Sequence, residues 1–428
     1  SLAEALLTWY TLFSVTSNAM DGLLKILKNH GHDDLPATVR TLRKTPRSVP
    51  ITKKSGMEYV YLGIQTQLKK ILNGVTPPDR PMLLSFNVDG LPLFSSSNRC
   101  LWPVLCATPI QGALKVFPVA LTYGRSKPLD LDFLTDTLSE LASLVRDGFE
   151  ISGRRIAIAI KCVVCDAPAK ALVKSTKLCS GYWGCDKCTQ KVAWLGRVVY
   201  PHLNSPLRTD ESFRWQDQPE HHHGQSVFLD VDINMVTQFP IDYMHQVCLG
   251  VMRRLILLWI RGDRRVRISA AQTSAISDRL VSLVSSIPSI FARKPRPLSD
   301  VDRWKATEFR QFLLYTGPVV LRGILRDDLF QHFLSFSVAI SILVNPNSVE
   351  QFDYAKGLLK YFVSRGKDLY GGEFCVYNVH SMLHITDEAQ KYGSLDECSA
   401  FPFENFLFQL KKLVRSGRNP MAQIVNRL

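Results

Sequence analysis

Asp89 and Asp166 stand where a reactive centre is simplest to build. Each follows an apolar run of strand character, Met82–Val88 before Asp89-Gly90 and Arg155–Val164 before Cys165-Asp166. A strand holds its backbone rigidly, so a carboxylate at its end can point into a cleft. If the two strands are neighbours in one sheet, the carboxylates converge, and hard oxygen donors of this kind suit Mg²⁺ or Mn²⁺. The plain alternative for Asp89-Gly90 is a turn. A second chemistry sits in Cys185 and Cys188, a CxxC in a Gly- and aromatic-rich stretch that suits a knuckle around Zn²⁺. His380 and His384 are spaced to share one helix face. The histidines could equally be helix-face residues and the cysteines unmetallated thiols. Asp242 and His245, in Asp-Tyr-Met-His, read as a capping acid and a core histidine. Cys162 and Cys165 repeat the CxxC spacing inside an apolar run and read as buried thiols. His221–His223 lies in the polar stretch Asn204–Gln225 and reads as a solvated loop.

The elements that must position these residues follow from periodicity. Ala3–Phe13 and Ser17–Lys28 carry apolar residues at helical spacing, with Ser14 and Thr16 as candidate caps between them. They form a helical hairpin or a helix-turn-helix. Arg40–Lys54, with Arg40, Arg43, Lys44, Arg47, Lys53 and Lys54 around Pro46 and Pro50, reads as a basic loop. Strands are expected at Met82–Val88, Trp102–Thr108, Leu114–Thr122 and Arg155–Val164, and an amphipathic helix at Leu129–Arg146. Three strands, a helix and a fourth strand are the opening order of an RNase-H-like α/β fold. Residues 190–375 read mainly as helices, with Trp304–Leu314, Asp328–Leu343 and Val349–Ser364 the clearest. Tyr377–Ile385 and Glu404–Val414 follow. The expected organisation is a helical segment over 1–80, the first part of the core over 81–190, a helical insertion over 191–375 and a return to the core over 376–428.

The chain has 428 residues, 46% hydrophobic and 21% charged, which is globular composition with room for more than one core. No apolar run reaches the length a membrane-spanning helix needs, so no membrane partner is expected. The net charge of +14 favours a polyanion, nucleic acid before an anionic membrane. No secretory signal is visible, so the ten cysteines read as thiols or metal ligands. The chain begins with Ser, and it reads as part of a longer protein. Cations cluster near the second acid (Lys170, Lys174, Lys177, Lys187 and Lys191) and around Trp304, where phosphate docking and base stacking compete with a core tryptophan.

Three blocks carry a resemblance. Ser85-Phe86-Asn87-Val88-Asp89-Gly90 followed by Leu101-Trp102-Pro103-Val104 resembles the first catalytic block of CACTA (En/Spm)-type DDE transposases. Cys165-Asp166-Ala167-Pro168 followed by Gly184-Cys185-Asp186-Lys187-Cys188 resembles their second. Tyr377-Asn378-Val379-His380-Ser381-Met382-Leu383-His384 and then Phe401-Pro402-Phe403-Glu404 is similar to their third. The blocks keep their order from about residue 81 to 415, and animal "transposase domain-containing" proteins look closer still. The resemblance implies a triad of Asp89, Asp166 and Glu404 holding two Mg²⁺ or Mn²⁺ ions for DNA cleavage and 3′-OH strand transfer. Without the resemblance, Glu404 is a helix-start acid favoured by the dipole. It also implies that Cys185, Cys188, His380 and His384 share one structural Zn²⁺, and that Asp242 and His245 are auxiliary to the site. The partner would be double-stranded DNA, the working form a homo-oligomer and the location the nucleus. The competing expectation is a domesticated, transposase-derived protein that binds DNA or other partners without cutting.

Overall fold

The computed structural model describes residues 1–428 except Ser14, 44–48, 76–79, Ser96, Ser126 and Ser152, and the side chain of Thr11. Ser14 as a cap, and Lys44, Pro46 and Arg47 of the basic loop, therefore lie outside the described residues. The chain divides into two compact units, Ser1–Thr52 with Gln409–Leu428, and Lys53–Phe408.

The smaller unit contains helices Leu2–Leu12, Ser17–Asn29 and Val39–Leu42. Thr16 caps the second as expected, its hydroxyl accepting from Ala19 N at 3.2 Å. Met20, Leu24, Leu35, Val39 and Leu42 form its core. Of the basic stretch expected as a loop, the described residues include the end of a helix, Val39–Leu42, and a strand, Thr52–Lys54.

The larger unit is a mixed α/β assembly around one central sheet with flanking and inserted helices. Its strands are β1 (Thr52–Lys54), β2 (Met57–Tyr61), β3 (Met82–Val88), β4 (Leu91–Pro92), β5 (Cys100–Ile110), β6 (Ala113–Gly124) and, after the hairpin β7 (Phe149–Ile151) and β8 (Arg154–Ile156), β9 (Ile158–Val164). The sheet order is β1-β2-β6-β5-β3-β9, with β4 paired to β5. β3, β5 and β6 run antiparallel, and β9 lies parallel to β3. The β5–β6 hairpin closes on Gln111 and Gly112, both at positive φ (49° and 78°), the two-residue primed turn that matches strand twist. β3 is paired on both edges, and all its side chains except Leu83 are buried, so both faces are covered and it does not read as an alternating strand.

Two of the elements expected around the sheet differ. The helix expected from Leu129 begins at Thr135, after a 3₁₀ turn at Asp132–Leu134, and Leu129 is 79% exposed. Its Leu138, Leu141 and Leu144 pack on the sheet core with Phe86 and Val163. The run Arg155–Val164 is broken after Ile156, whose segment pairs with β7 instead of β3.

The helices between Met244 and Tyr392 enclose a second core around Trp259, Phe312, Phe333 and Phe362. Trp304 belongs to it, packed against Phe309 and Phe312, so it is a core tryptophan and not a stacking platform. Among the described residues no helix is long and apolar enough to cross a membrane.

Candidate metal centres

Asp89 does not sit in a turn. Val88 pairs with Val104 and Leu91 with Leu101, so the register runs unbroken through Asp89-Gly90 opposite Pro103 and Trp102. Pro103 has no N–H to give, and the ladder opens at that point. Gly90 is required there, since a Cβ would lie 2.9 Å from Cζ2 of Trp102. One residue earlier, the buried Asn87 donates from Nδ2 to the Val164 carbonyl at 2.8 Å, fastening β3 to the end of β9. That parallel pairing matches Asn87 with Val164 and brings the ends carrying Asp89 and Asp166 side by side. Asp166 is the N-cap of helix Ala167–Lys174, its Oδ1 accepting from Ala169 N at 2.7 Å, with Pro168 in the first turn.

Glu404 comes from helix Phe401–Leu413, whose start is anchored by Asp242. Asp242 Oδ1 accepts from Ala400 N at 2.8 Å, and Ala400 O accepts from Glu404 N at 2.9 Å. Asp242 Oδ2 accepts from the ring Nδ1 of His245 at 2.5 Å and from its backbone N–H at 3.0 Å. One buried carboxylate thus fixes both His245 and the helix that carries Glu404. His245 lies on a π-helical stretch, Met244–Met252, a rare geometry that re-aims side chains.

The donor atoms of Asp89, His245 and Glu404 all lie within 4.8 Å of one another. Asp166 is outside that trio but close enough for its charge to be felt by Asp89, Glu404 and His245. Burial, followed by the Asp166 charge, pushes the Asp89 carboxyl up to about 7, and Glu404 adds to the rise while His245 opposes it. Burial likewise raises Glu404, against the pull of His245. For His245, burial favours the neutral ring, but the Asp242 hydrogen bond and charge overcome it and raise the ring to about 9. The result is a half-buried pocket of crowded carboxyls with one imidazolium, able to take a divalent cation through its oxygen donors, and through a His245 nitrogen only once that ring gives up its proton.

The second centre is closed. Cys185, Cys188, His380 and His384 are all buried, with donor atoms within 4.8 Å of one another. His380 Nε2 and His384 Nε2 are 3.2 Å apart, Cys188 Sγ and His380 Nε2 3.3 Å, and Cys185 Sγ and His384 Nε2 3.8 Å. A zinc tetrahedron with ordinary bond lengths has edges of about 3.3 Å between nitrogens and about 3.5 Å between nitrogen and sulfur. The donor set and its spacing fit that ion. The histidines are not on one regular helix, because Tyr377–His380 passes through a 3₁₀ turn at Ser381–Leu383 before Ile385–Tyr392. The Cys185 thiol is pushed up by burial, whereas a hydrogen bond from Cys185 holds Cys188 down. Tyr200 stacks on His380 at 4.5 Å between centroids.

Around the knuckle the structure corrects three expectations. Lys170 and Lys187 are buried and committed to Asp186 (3.0 Å) and Glu388 (2.6 Å). Lys174 is fully buried between Phe213 and Phe239, and burial lowers it to about 7. Lys170 and Lys187 are interior ion pairs, and none of the three buried lysines is open to a phosphate. His221 is fully buried, its ring Nδ1 2.8 Å from the Trp183 carbonyl oxygen, and burial lowers it to about 3, so it is not a solvated loop residue. Its polar surroundings in sequence concealed a helix, Asp210–Arg214, and a 3₁₀ turn that tuck it in. Cys162 and Cys165 are buried thiols as expected.

The sequence left His245 at the margin, yet it is one of the three donors that meet. The i, i+3 spacing of Asp242 and His245 was the available signal. Glu388 and Asp186, which tie the knuckle to helix Ile385–Tyr392 and to Tyr377, carried no sequence signal. No protein-family model matches the chain, and no curated protein sequence does.

Proposed function

We propose that this chain is the catalytic core of a DDE-type DNA transposase with an RNase-H-like sheet, cleaving a DNA phosphodiester and joining the freed 3′-OH to target DNA. The observation that carries the reading is the meeting of Asp89 and Glu404, far apart in sequence, beside Asp166 at the neighbouring strand end. The three antiparallel strands, helix and parallel fourth strand support the fold assignment.

Asp89, Asp166 and Glu404 would hold the catalytic Mg²⁺ or Mn²⁺. The fit rests on hard oxygen donors and on the burial and neighbouring acids that together drive Asp89 up to about 7, a cost of holding negative charge there that a cation relieves. Bound there, divalent cations supply activation of the attacking oxygen and stabilisation of the leaving one. The chain's own contribution is placement. Asn87 aligns the two strand ends, Asp242 sets the start of the Glu404 helix, and the same carboxylate keeps His245 charged and oriented. The closed Cys/His centre would hold a structural Zn²⁺ and tie Cys185 and Cys188, which follow the second acid, to the segment that leads to Glu404. Double-stranded DNA as substrate, a homo-oligomer on paired ends and a nuclear location follow from the resemblance to CACTA-type transposases, and the net charge of +14 agrees with the first.

The test is strand cleavage of DNA with Mg²⁺ or Mn²⁺. The wild-type chain is expected to cut, and Asp89→Asn, Asp166→Asn and Glu404→Gln to fall to background with unchanged circular dichroism. Wild-type rates in any one of them remove that residue from the triad. A second reading, a transposase-derived protein that no longer cuts, is favoured by one observation: Asp166 spends an oxygen on capping its helix and stands outside the tightest trio. DNA binding without cleavage in either metal decides for it.

A further inference from the structure

The smaller unit holds a cavity of about 270 Å³. Arg40, Arg43 and Arg427 line it together with Tyr10, Asn419 and Gln423, and no acid is among the described residues that line it. Arg40 lies in the short helix Val39–Leu42 and Arg43 caps its end, while Arg427 follows helix Pro420–Val425. The cavity therefore joins two segments that are remote in sequence.

The site is built rather than incidental. Arg427 Nη1 donates to the carbonyls of Leu413 at 3.1 Å and Gln423 at 3.0 Å, so its guanidinium is fixed by backbone. The Gln423 amide accepts from Arg415 N at 2.9 Å and donates to the carbonyl oxygens of Ser416 (2.9 Å) and Arg418 (2.6 Å), bracing the loop beside it. Burial and the charges of Arg415 and Arg43 work against Arg427, lowering it from the usual arginine value. The charge of Arg43 opposes that of Arg427 beside the cavity, and an anion with several acceptor oxygens relieves such repulsion between guanidinium groups. The segment Gln409–Leu428 adds exposed Lys411, Lys412, Arg415 and Arg418 and contains no acid. A single small anion cannot reach beyond the cavity, whereas a polyanion running past it would also meet the field of the exposed Arg415 and Arg418.

We propose that this cavity is a phosphate-binding site and that it takes a backbone phosphate of DNA. Naming DNA rests on the proposed function, whereas the affinity for phosphate rests on the cavity alone.

The experiment measures binding of a short labelled duplex to the full chain in EDTA, by fluorescence anisotropy across a salt series. Wild type is expected to bind. Arg43→Gln should weaken binding about tenfold and lower the salt slope by about 0.9, as expected for one lost phosphate contact. Arg43→Lys should keep the slope, because it keeps the charge. Arg427→Gln should act like Arg43→Gln, and since Arg427 also holds backbone, the exposed Arg43 decides if Arg427→Gln does not fold. Wild-type binding by a folded Arg43→Gln, or no duplex binding by wild type, overturns the proposal. Inorganic phosphate should compete with the duplex at millimolar concentration. Phosphate binding that Arg43→Gln abolishes without any change in duplex binding overturns the choice of DNA as its source. Because no cleavage is read, a chain that binds through Arg43 but never cuts upholds this site and removes the nuclease reading. A chain that cuts while Arg43→Gln binds normally does the reverse.

Discussion

The Cys/His centre and the carboxylate centre both lie in the larger unit, yet they are built to opposite rules. The first is fully buried, and its donor spacings match one tetrahedron. The second is half-buried, with carboxyls that repel one another and a histidine charged by a separate acid. A closed centre uses its ion as a cross-link, and an open, crowded one keeps room for a reacting group. Burial and charge balance, more than donor identity, separate the two.

That contrast can be broken most severely at the closed centre. Cys188→Ser should abolish zinc binding, read as metal per chain by mass spectrometry, and cost at least about 3 kcal/mol in denaturant unfolding, since a structural metal contributes its binding energy to folding. An unchanged midpoint would mean that this centre is no cross-link.

The open centre should instead betray itself through pH in chelator-treated protein. Asp89 is raised in the folded state, so its contribution is present below the ordinary carboxylate value near 4 and is lost as pH rises through about 7. His245 is also raised, so its stabilisation is complete below about 6.5 and is lost as pH rises through about 9. The contribution of these two groups to the melting temperature should therefore fall from pH 4 to 9, against the opposite trends of the buried His221 and Lys174. Asp89→Asn should flatten the lower half of that profile and His245→Gln the upper half. Profiles that coincide with wild type would show that the two groups do not share a pocket.

Asp242→Ala should cost about 2–3 kcal/mol, because it leaves the Ala400 N–H and the His245 ring without their buried acceptor. It should also lower cleavage more than Asp242→Asn, which keeps a carbonyl acceptor. Equal effects of the two would make the charge and not the anchoring the important property. The smallest effect is expected from Gly90→Ala, at about 1–2 kcal/mol, as Trp102 gives way to the new methyl group. A melt indistinguishable from wild type would show that Trp102 moves freely.

Much was legible in the residues alone. Apolar runs marked β3 and the parts of β5 and β6 that lie within them, and helical spacing marked nearly all of Asp327–Leu343 and the first two thirds of Phe352–Tyr370, because burial on one or both faces leaves a period in the chain. The acids at the strand ends and the CxxC stood out because short spacings reflect local geometry. What only tertiary structure decided was anything set by neighbours from elsewhere. His245 joined Asp89 and Glu404 because Asp242 pins two distant segments at once. Lysines that read as phosphate contacts became interior ion pairs, and a polar-looking His221 was buried by residues around it. The sequence by itself determined which donors and which strands exist. Their meeting, burial and charge depend on contacts between remote segments, and a linear pattern does not encode a distance between residues whose separation along the chain carries no period.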